Sequence, residues 1–195
     1  MEKEGKFEAL ANAYRNPTKF SIIVLLAEHG KMTVTQMSKY VKVSRPNLYH
    51  YVSQLVDDGI LNIPESVVKK NYVEKYYSLN EELINEGSNE KWDEFITNKS
   101  PGEVRELLSS VLMGYSMILS MAAENIAHSS DSVIAKLVNK LKKGVGWTAS
   151  YSLLGKGSTE RIGPHVKKLQ ENLYEGTSDE VHESRLLLVF LPVLE

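Results

Sequence analysis

Apolar residues recur every three or four positions through the first part of the chain, which is the spacing of amphipathic helices. Pro17 suits the first turn of a helix, and Thr33 and Ser44 suit N-cap positions. Gly30 and Gly59 suit positions just past a helix end. The predicted helices span residues 4–14, 17–29, 34–41 and 45–58, and the second has an apolar stripe of Phe20, Ile23, Val24 and Ala27.

The spacing of the apolar residues changes after the fourth predicted helix, and this change predicts a β-hairpin. Residues 60–63 and 73–79 are rich in branched and aromatic side chains and are predicted strands. The connecting loop, residues 64–72, carries Lys69 and Lys70 near its tip. A hairpin with a basic loop after two helices joined by a turn predicts a winged helix-turn-helix.

Residues 101–127 form the longest periodic segment and are predicted as one helix. Its apolar positions cover more than one face, so we expect part of it to need a partner. The stripe with a spacing of four, three and four consists of Leu108, Leu112, Tyr115 and Leu119. Pairing with the same helix of a second copy would bury this stripe symmetrically, whereas burial within the chain is the alternative.

The remainder of the chain is predicted to contain a helix at 131–143, a strand at 147–154, a helix at 159–174 and a strand at 184–194. The predicted fold class is therefore α+β and mainly helical. Its two domains are an N-terminal winged helix-turn-helix, residues 1–82, and a helical dimerisation region with a small C-terminal strand-helix-strand module, residues 83–195.

The fourth helix has a buried and a polar face. Leu48, Tyr51, Val52 and Leu55 are the predicted core positions. The opposite face carries side chains that can hydrogen-bond to DNA or stack on it: Arg45, Asn47, Tyr49, His50, Ser53 and Gln54. We expect this helix to read bases in the major groove, and Lys69 and Lys70 to contact phosphates.

Charge supports this division weakly. Residues 17–79 hold eight Lys or Arg and five acidic residues, a net charge of +3, whereas the remainder holds 15 basic and 20 acidic residues, a net charge of −5. An anionic partner is therefore expected to bind residues 17–79. The chain has no cysteine, which excludes disulfides and thiolate metal sites.

Other functions have little support in the sequence. The apolar run at 186–194 is too short for a bilayer, so we expect no membrane role and a cytoplasmic location. Possible metal ligands are limited to Glu124 with His128 and Asp179 with His182. We interpret these as scattered surface residues, and no metal or cofactor is predicted.

An enzyme is not expected either, because GKGST at 155–159 lacks the spacing of a phosphate-binding loop. Trp92, Trp147 and Tyr151 are interpreted as core residues rather than a ligand pocket.

Three stretches of this sequence resemble the ArsR-like winged-helix regulators: LANAYRNPTKFSIIVLLAEHG at 10–30, MTVTQMSKYVKVSRPNLYHYVSQLVDDGIL at 32–61 and KYYSL at 75–79. The resemblance implies a transcriptional regulator that binds double-stranded DNA, with an unidentified small-molecule effector as a further possible partner. Two residues depart from the family pattern, namely Lys42, where the turn often has Gly, and Tyr51, where a His is common. A homodimer is expected because one helix covers too few base pairs for specificity. The alternative is an adaptor that uses the winged helix to bind another protein.

Overall fold

The computed structural model describes residues 2–85, 89–143 and 158–173. Contacts divide the chain into two compact units, Met1–Asn139 and Lys140–Glu195. The first unit thus contains the winged helix together with the helices that follow it. The functional boundary after residue 82 stays a prediction.

The helices are α1 (Glu2–Tyr14), α2 (Pro17–His29), α3 (Val34–Met37), α4 (Arg45–Asp57), α5 (Glu81–Asn85), α6 (Asn89–Thr97), α7 (Pro101–Ala127), α8 (Asp131–Lys143) and α9 (Ser158–Leu173). The strands are β1 (Lys31–Met32), β2 (Glu65–Lys69) and β3 (Tyr72–Ser78). The mainly helical α+β class and the N-terminal winged helix-turn-helix are confirmed. The predicted helix at 159–174 corresponds to α9, whereas the predicted strands at 147–154 and 184–194 lie outside the described residues.

Side-chain caps set the ends of the first helices. The Asn16 side chain accepts hydrogen bonds from the backbone N–H groups of Thr18 and Lys19, both at 3.0 Å, and Pro17 follows as the first residue of α2. Thr33 and Gln36 form a reciprocal capping box at the start of α3. The α3 helix ends four residues earlier than predicted, because the Lys39 N–H bonds to the Gln36 carbonyl and tightens the last turn.

The sheet is antiparallel in the order β1-β3-β2, and β1 was not predicted. The first hairpin strand was predicted at 60–63 but lies at Glu65–Lys69. The apolar character of Ile60 and Leu61 reflects burial, since both are almost fully buried in the core, and Leu61 makes only an isolated bridge to Leu79. The β2 and β3 strands are joined by a two-residue turn, because Lys69 pairs directly with Tyr72.

The α2 helix lies at the centre of the first unit and packs against α1, α4 and α7. We predicted one apolar stripe that included Ala27, but Ala27 is exposed. Ile22, Leu25 and Leu26 are instead fully buried together with the predicted Phe20 and Ile23. More than one face of α2 is buried because α1, α4 and α7 all pack against this helix, which a single amphipathic period cannot reveal.

The contact between α2 and α7 is close because α7 presents small residues there. Ser110 and Gly114, one turn apart, are buried on this face of α7. A Cβ atom at Gly114 would lie 2.4 Å from Cδ1 of Phe20, so the ring of Phe20 occupies the space that any other residue would fill. Arg15 adds ion pairs from α1 to α7, with Glu103 at 3.0 Å and Glu106 at 2.6 Å.

Among the described helices, α7 is long and apolar enough to cross a membrane by length and composition. Core helices of other proteins meet the same criterion. Here Leu107, Gly114 and Met121 of α7 are buried within the protein, and Leu107 and Met121 belong to its hydrophobic core. The apolar residues of α7 that are not buried include the predicted dimer stripe, together with Met113 on another side of the helix.

We expect Gly114→Ala to lower the free energy of unfolding by about 1–3 kcal/mol, because the added methyl group must displace the buried Phe20 ring or separate α2 from α7. Gly102→Ala on the same helix is the matched control, since its Cβ would meet nothing closer than Ser100 Oγ at 3.9 Å. The control should change the free energy by no more than about 1 kcal/mol, in the stabilising direction. Urea unfolding of both variants measures the difference, and equal stabilities would contradict the close packing.

Candidate nucleic-acid interface

The α4 helix begins at a side-chain cap and is anchored by three buried residues. Ser44 Oγ accepts a hydrogen bond from the backbone N–H of Asn47 at 3.4 Å, and Pro46 lies in the first turn. Leu48, Val52 and Leu55 are essentially inaccessible to solvent. These contacts fix the rotation of α4 and therefore decide which of its side chains face outward.

The outward face carries the residues predicted for DNA contact. Arg45, Asn47, Tyr49, His50 and Ser53 are all exposed, and Gln54 is half-buried. The Gln54 side-chain amide donates a hydrogen bond to His50 Nε2 at 3.0 Å, which orders two polar groups on the middle of the face. The six residues thus form one continuous polar surface.

Tyr51 points the other way. It is half-buried and packs against the hydrophobic core. This position, where the resemblance has a His, therefore adds no group to the exposed face. A core contact is the physical reason, because the aromatic ring contributes apolar area that a protonated imidazole would not.

The turn between α3 and α4 accommodates Lys42 without strain, although the family often has Gly there. Lys42 is not in the positive-φ region, so its side chain costs nothing there. Lys39 and Lys42 are both exposed at this turn. Neither lysine was a predicted DNA contact, and only their placement beside α4 makes them relevant to an anionic partner.

The far end of α4 is held by an ion pair. Lys19 Nζ of α2 lies 3.3 Å from Asp58 Oδ2, just past the end of α4. This contact partly neutralises one of the two acidic residues at that end. The acidic groups are thereby kept at one end of the recognition face, while Arg45 lies at the other.

Lys69 and Lys70 differ in their surroundings at the tip of the hairpin. Lys69 Nζ lies 2.8 Å from Glu74 Oε2, and the Tyr76 hydroxyl donates to the same carboxylate at 2.8 Å. The hydrogen bonds with Glu74 and Tyr76 hold the pKa of Lys69 above its usual range, and the bonds from Lys69 and Tyr76 lower the pKa of Glu74. Lys70 is exposed and takes part in no ion pair within the described part of the chain.

Comparison with known proteins agrees with this geometry. A model of the arsR family of bacterial regulatory proteins matches residues 16–62, which cover α2, β1 and the helix-turn-helix and end before β2. An uncharacterised HTH-type transcriptional regulator of Methanocaldococcus jannaschii is 34% identical over 61 residues, which are 31% of this chain and 68% of that protein. This chain belongs to the ArsR family. As a member it is a DNA-binding transcriptional regulator rather than a representative of an enzyme class.

The first pair of possible metal ligands named from the sequence, Glu124 with His128, lies at the end of α7. His128 Nδ1 lies 2.8 Å from the backbone carbonyl oxygen of Glu124, so the imidazole caps the end of α7 rather than pairing with the carboxylate. Within residues 2–85, 89–143 and 158–173 there is no cluster of three or more potential metal ligands. Asp179 and His182 lie outside these ranges.

The aromatic residues singled out in the sequence are only partly described. Trp92 packs edge-on against Phe7 at 5.1 Å and tilted against Tyr14 at 5.1 Å. It therefore joins α6 to α1 as a packing residue, as predicted. Trp147 and Tyr151 lie outside the described residues.

Lys70 has φ 44°, a left-handed conformation that favours glycine. We expect Lys70→Gly to be more stable than Lys70→Ala by about 1 kcal/mol, because only glycine relieves the strain. Both variants lose the same charge, so each serves as the electrostatic control for the other. Thermal unfolding measures the difference, and identical stabilities would show that the turn is unstrained.

Proposed function

We propose that this ArsR-family member acts as a homodimer that binds specific DNA sequences and regulates transcription from them. The observation that carries the proposal is the exposed polar face of α4 beside a hairpin with a basic tip. The buried anchors of α4 make this face rigid, and rigidity keeps the loss of side-chain freedom on binding small.

In this proposal α4 lies in the major groove, and its six exposed or half-exposed polar residues contact base edges or the flanking backbone. Arg45 suits a guanine, because its guanidinium can donate two hydrogen bonds to O6 and N7. His50 and Gln54 already share a hydrogen bond and would approach the bases as a unit. Asn47, Tyr49 and Ser53 complete the set.

The wing supplies contacts to the phosphate backbone. Lys70 at the tip is available for a phosphate. Lys69 is proposed as a second contact, although its ammonium must then exchange the carboxylate of Glu74 for a phosphate. We therefore expect Lys69 to contribute less to affinity than Lys70.

The dimer interface is proposed to be the apolar stripe of α7. Leu108 and Leu119 lie eleven residues apart on the same side of α7. They are 44% and 55% exposed, which is a large exposure for leucine side chains. Leu112 and Tyr115 lie between them and are half-buried, and Tyr115 also packs against Phe20 at 5.9 Å between ring centroids. Two copies of this stripe packed about a twofold axis would cover the exposed leucines.

A DNA-binding role also implies a place in the cell, which we propose is the cytoplasm. We also propose a small-molecule effector, to which no chemical identity is assigned.

The competing function is a protein adaptor, and the dependence of binding on ionic strength distinguishes the two functions. Phosphate contacts weaken steeply with salt, whereas an apolar protein contact does not.

Arg45→Ala should weaken binding to a selected operator by about 1–3 kcal/mol and relax the preference at one base pair. His50→Ala should weaken it as well. Lys136→Ala on α8 also removes one exposed positive charge and is the control, with binding close to that of the parent. Selection from random duplex DNA followed by titration measures affinity and preference, and unchanged binding by both α4 variants would exclude α4 as the recognition helix.

Leu108→Glu and Leu119→Glu should each give a folded monomer with much weaker operator binding, because the stripe would place a carboxylate against its symmetry mate. Met113→Glu is the matched control. Met113 is 56% exposed, yet it lies roughly 140° around the helix from Leu108 and should leave the dimer intact. Sedimentation reports the assembly and circular dichroism the fold, and a folded dimer for both leucine variants would rule out this interface.

A further inference from the structure

A groove of about 500 Å³ lies between α1, the start of α2 and the C-terminal end of α4. Small-molecule sites in proteins have volumes of roughly 300–1,000 Å³, so the groove is large enough for a ligand of that kind. All of its lining residues belong to the first compact unit. Its place at the end of α4 puts it next to the recognition face without being part of it.

The α1 wall of the groove leaves space because two of its residues are small. Gly5, Glu8, Ala9 and Asn12 line the groove and recur three or four positions apart, so they share one side of α1. A Cβ atom at Gly5 would have no neighbour within 4 Å. The protein therefore does not fill the groove beside Gly5, and a larger side chain could be accommodated there.

The charged groups of the groove favour a cation. Lys19 Nζ is already paired with Asp58 Oδ2 at 3.3 Å, and the Lys19 side chain is only 16% exposed. Glu8 is 63% exposed, and its contact with Lys99 Nζ is long, at 3.8 Å. The lining thus has one lysine and two carboxylates, a net charge of −1.

The helix ends at the groove act in the same direction. The groove lies at the C-terminal end of α4, where the helix dipole is negative and attracts cations. At the start of α2, the side chain of Asn16 already accepts hydrogen bonds from the backbone N–H groups of Thr18 and Lys19. These N–H groups are therefore not open to an anionic ligand.

Gln54 connects the groove to the recognition face. Its Nε2 donates to His50 Nε2 at 3.0 Å, and the same side chain lines the groove. Its Oε1 accepts no hydrogen bond from the described residues. Asp58 lies one helical turn further on, since its backbone N–H donates to the Gln54 carbonyl at 2.8 Å. A cation held by Asp58 would therefore lie close to the Gln54 amide.

We propose that this groove binds a small organic molecule with two ammonium groups. One ammonium group pairs with Glu8 on α1, and the other pairs with Asp58 and donates to Gln54 Oε1. Two ammonium groups are required because the two carboxylates come from different walls of the groove.

This ligand is the effector to which the proposed function assigns no chemical identity, so its regulatory role rests on that function. Its bond to Gln54 Oε1 holds the amide in the orientation that bonds to His50. Two residues of the recognition face are then ordered before DNA arrives, which lowers the entropy that binding costs. The bound ligand therefore increases the affinity for DNA.

The site is tested on the full chain without DNA, by following backbone amide NMR shifts during titration with 1,4-diaminobutane at constant ionic strength. Shifts should concentrate in α1 and at the end of α4. The matched ligand is 1,4-butanediol, which has the same length without charge and should cause no comparable shifts. Gly5→Leu fills the groove and should abolish the shifts, while circular dichroism checks that it keeps the parent fold.

A pair of charge variants tests the ammonium contact. Glu8→Gln should weaken binding of 1,4-diaminobutane by about two- to fivefold, the range for loss of an exposed ion pair. Glu124→Gln is the control, because it removes an exposed carboxylate of α7 that does not line the groove. Its affinity for the diamine should equal that of the parent.

The effector role is tested with an operator duplex selected by the parent protein. Saturating 1,4-diaminobutane should raise the affinity of the parent for this duplex by about fivefold, at the lower end of typical allosteric couplings. Gly5→Leu should show no such increase. Because both proteins meet the same diamine and the same DNA, this comparison cancels any direct effect of the diamine on the duplex.

No shifts with the diamine, equal shifts with 1,4-butanediol, or unchanged affinity in Glu8→Gln would overturn the site. If the diamine binds but changes the DNA affinity of the parent and of Gly5→Leu equally, the effector role is wrong. Failure of the proposed function is separate. It would appear as unchanged DNA binding in Arg45→Ala and His50→Ala, whereas the NMR titration decides the site without DNA.

Discussion

The packing of α2 between the helix-turn-helix and α7 is the contact on which the rest of this structure depends. Phe20 occupies the space that the missing side chain of Gly114 leaves open, and the fully buried Ile22 and Leu25 lie on the same helix. Such packing is close to that of a crystal and resists displacement. A change in the position of α7 must therefore move α2, and with it the elements that hold α4.

In the proposed dimer, this packing connects the interface on α7 to the position of α4. The exposed leucines of α7 and the buried Gly114 lie on different sides of one helix, so a partner on the first side leaves the α2 contact intact. Arg15 adds ion pairs to Glu103 and Glu106, but surface pairs of this kind contribute at most about 1 kcal/mol each. The spacing of two recognition helices would thus be set by core packing, with the surface charges adding only a small part.

Electrostatics acts at the hairpin, where it decides which lysines are paired rather than which fold forms. Ion pairs join Lys31 to Glu65 and Lys69 to Glu74, whereas Lys75 and the tip residue Lys70 form no ion pair within the described residues. The net charge of the chain, −2, says nothing of this distribution. A regulator with a mildly acidic chain can still present a basic surface wherever acids are absent or already paired.

Elements whose signals are local could be predicted from the sequence. The caps Asn16, Thr33 and Ser44 and the glycine at position 59 mark helix ends through bonds and dihedral angles within a few residues. The bounds of α7 and α8 were predicted correctly because a long apolar period of 3.6 residues has one structural solution. The outward face of α4 followed from the same rule.

Tertiary structure decided the features that depend on distant residues. The apolar Ile60 and Leu61 were predicted as a strand, since burial in a core and pairing in a sheet favour the same side chains. The burial of α2 on more than one face depends on packing against α1, α4 and α7, which the apolar pattern of α2 alone does not contain. The compensation of Lys69 by Glu74 and the separate placement of Lys75 require the register of β2 with β3, and a shift of one residue would exchange the two faces.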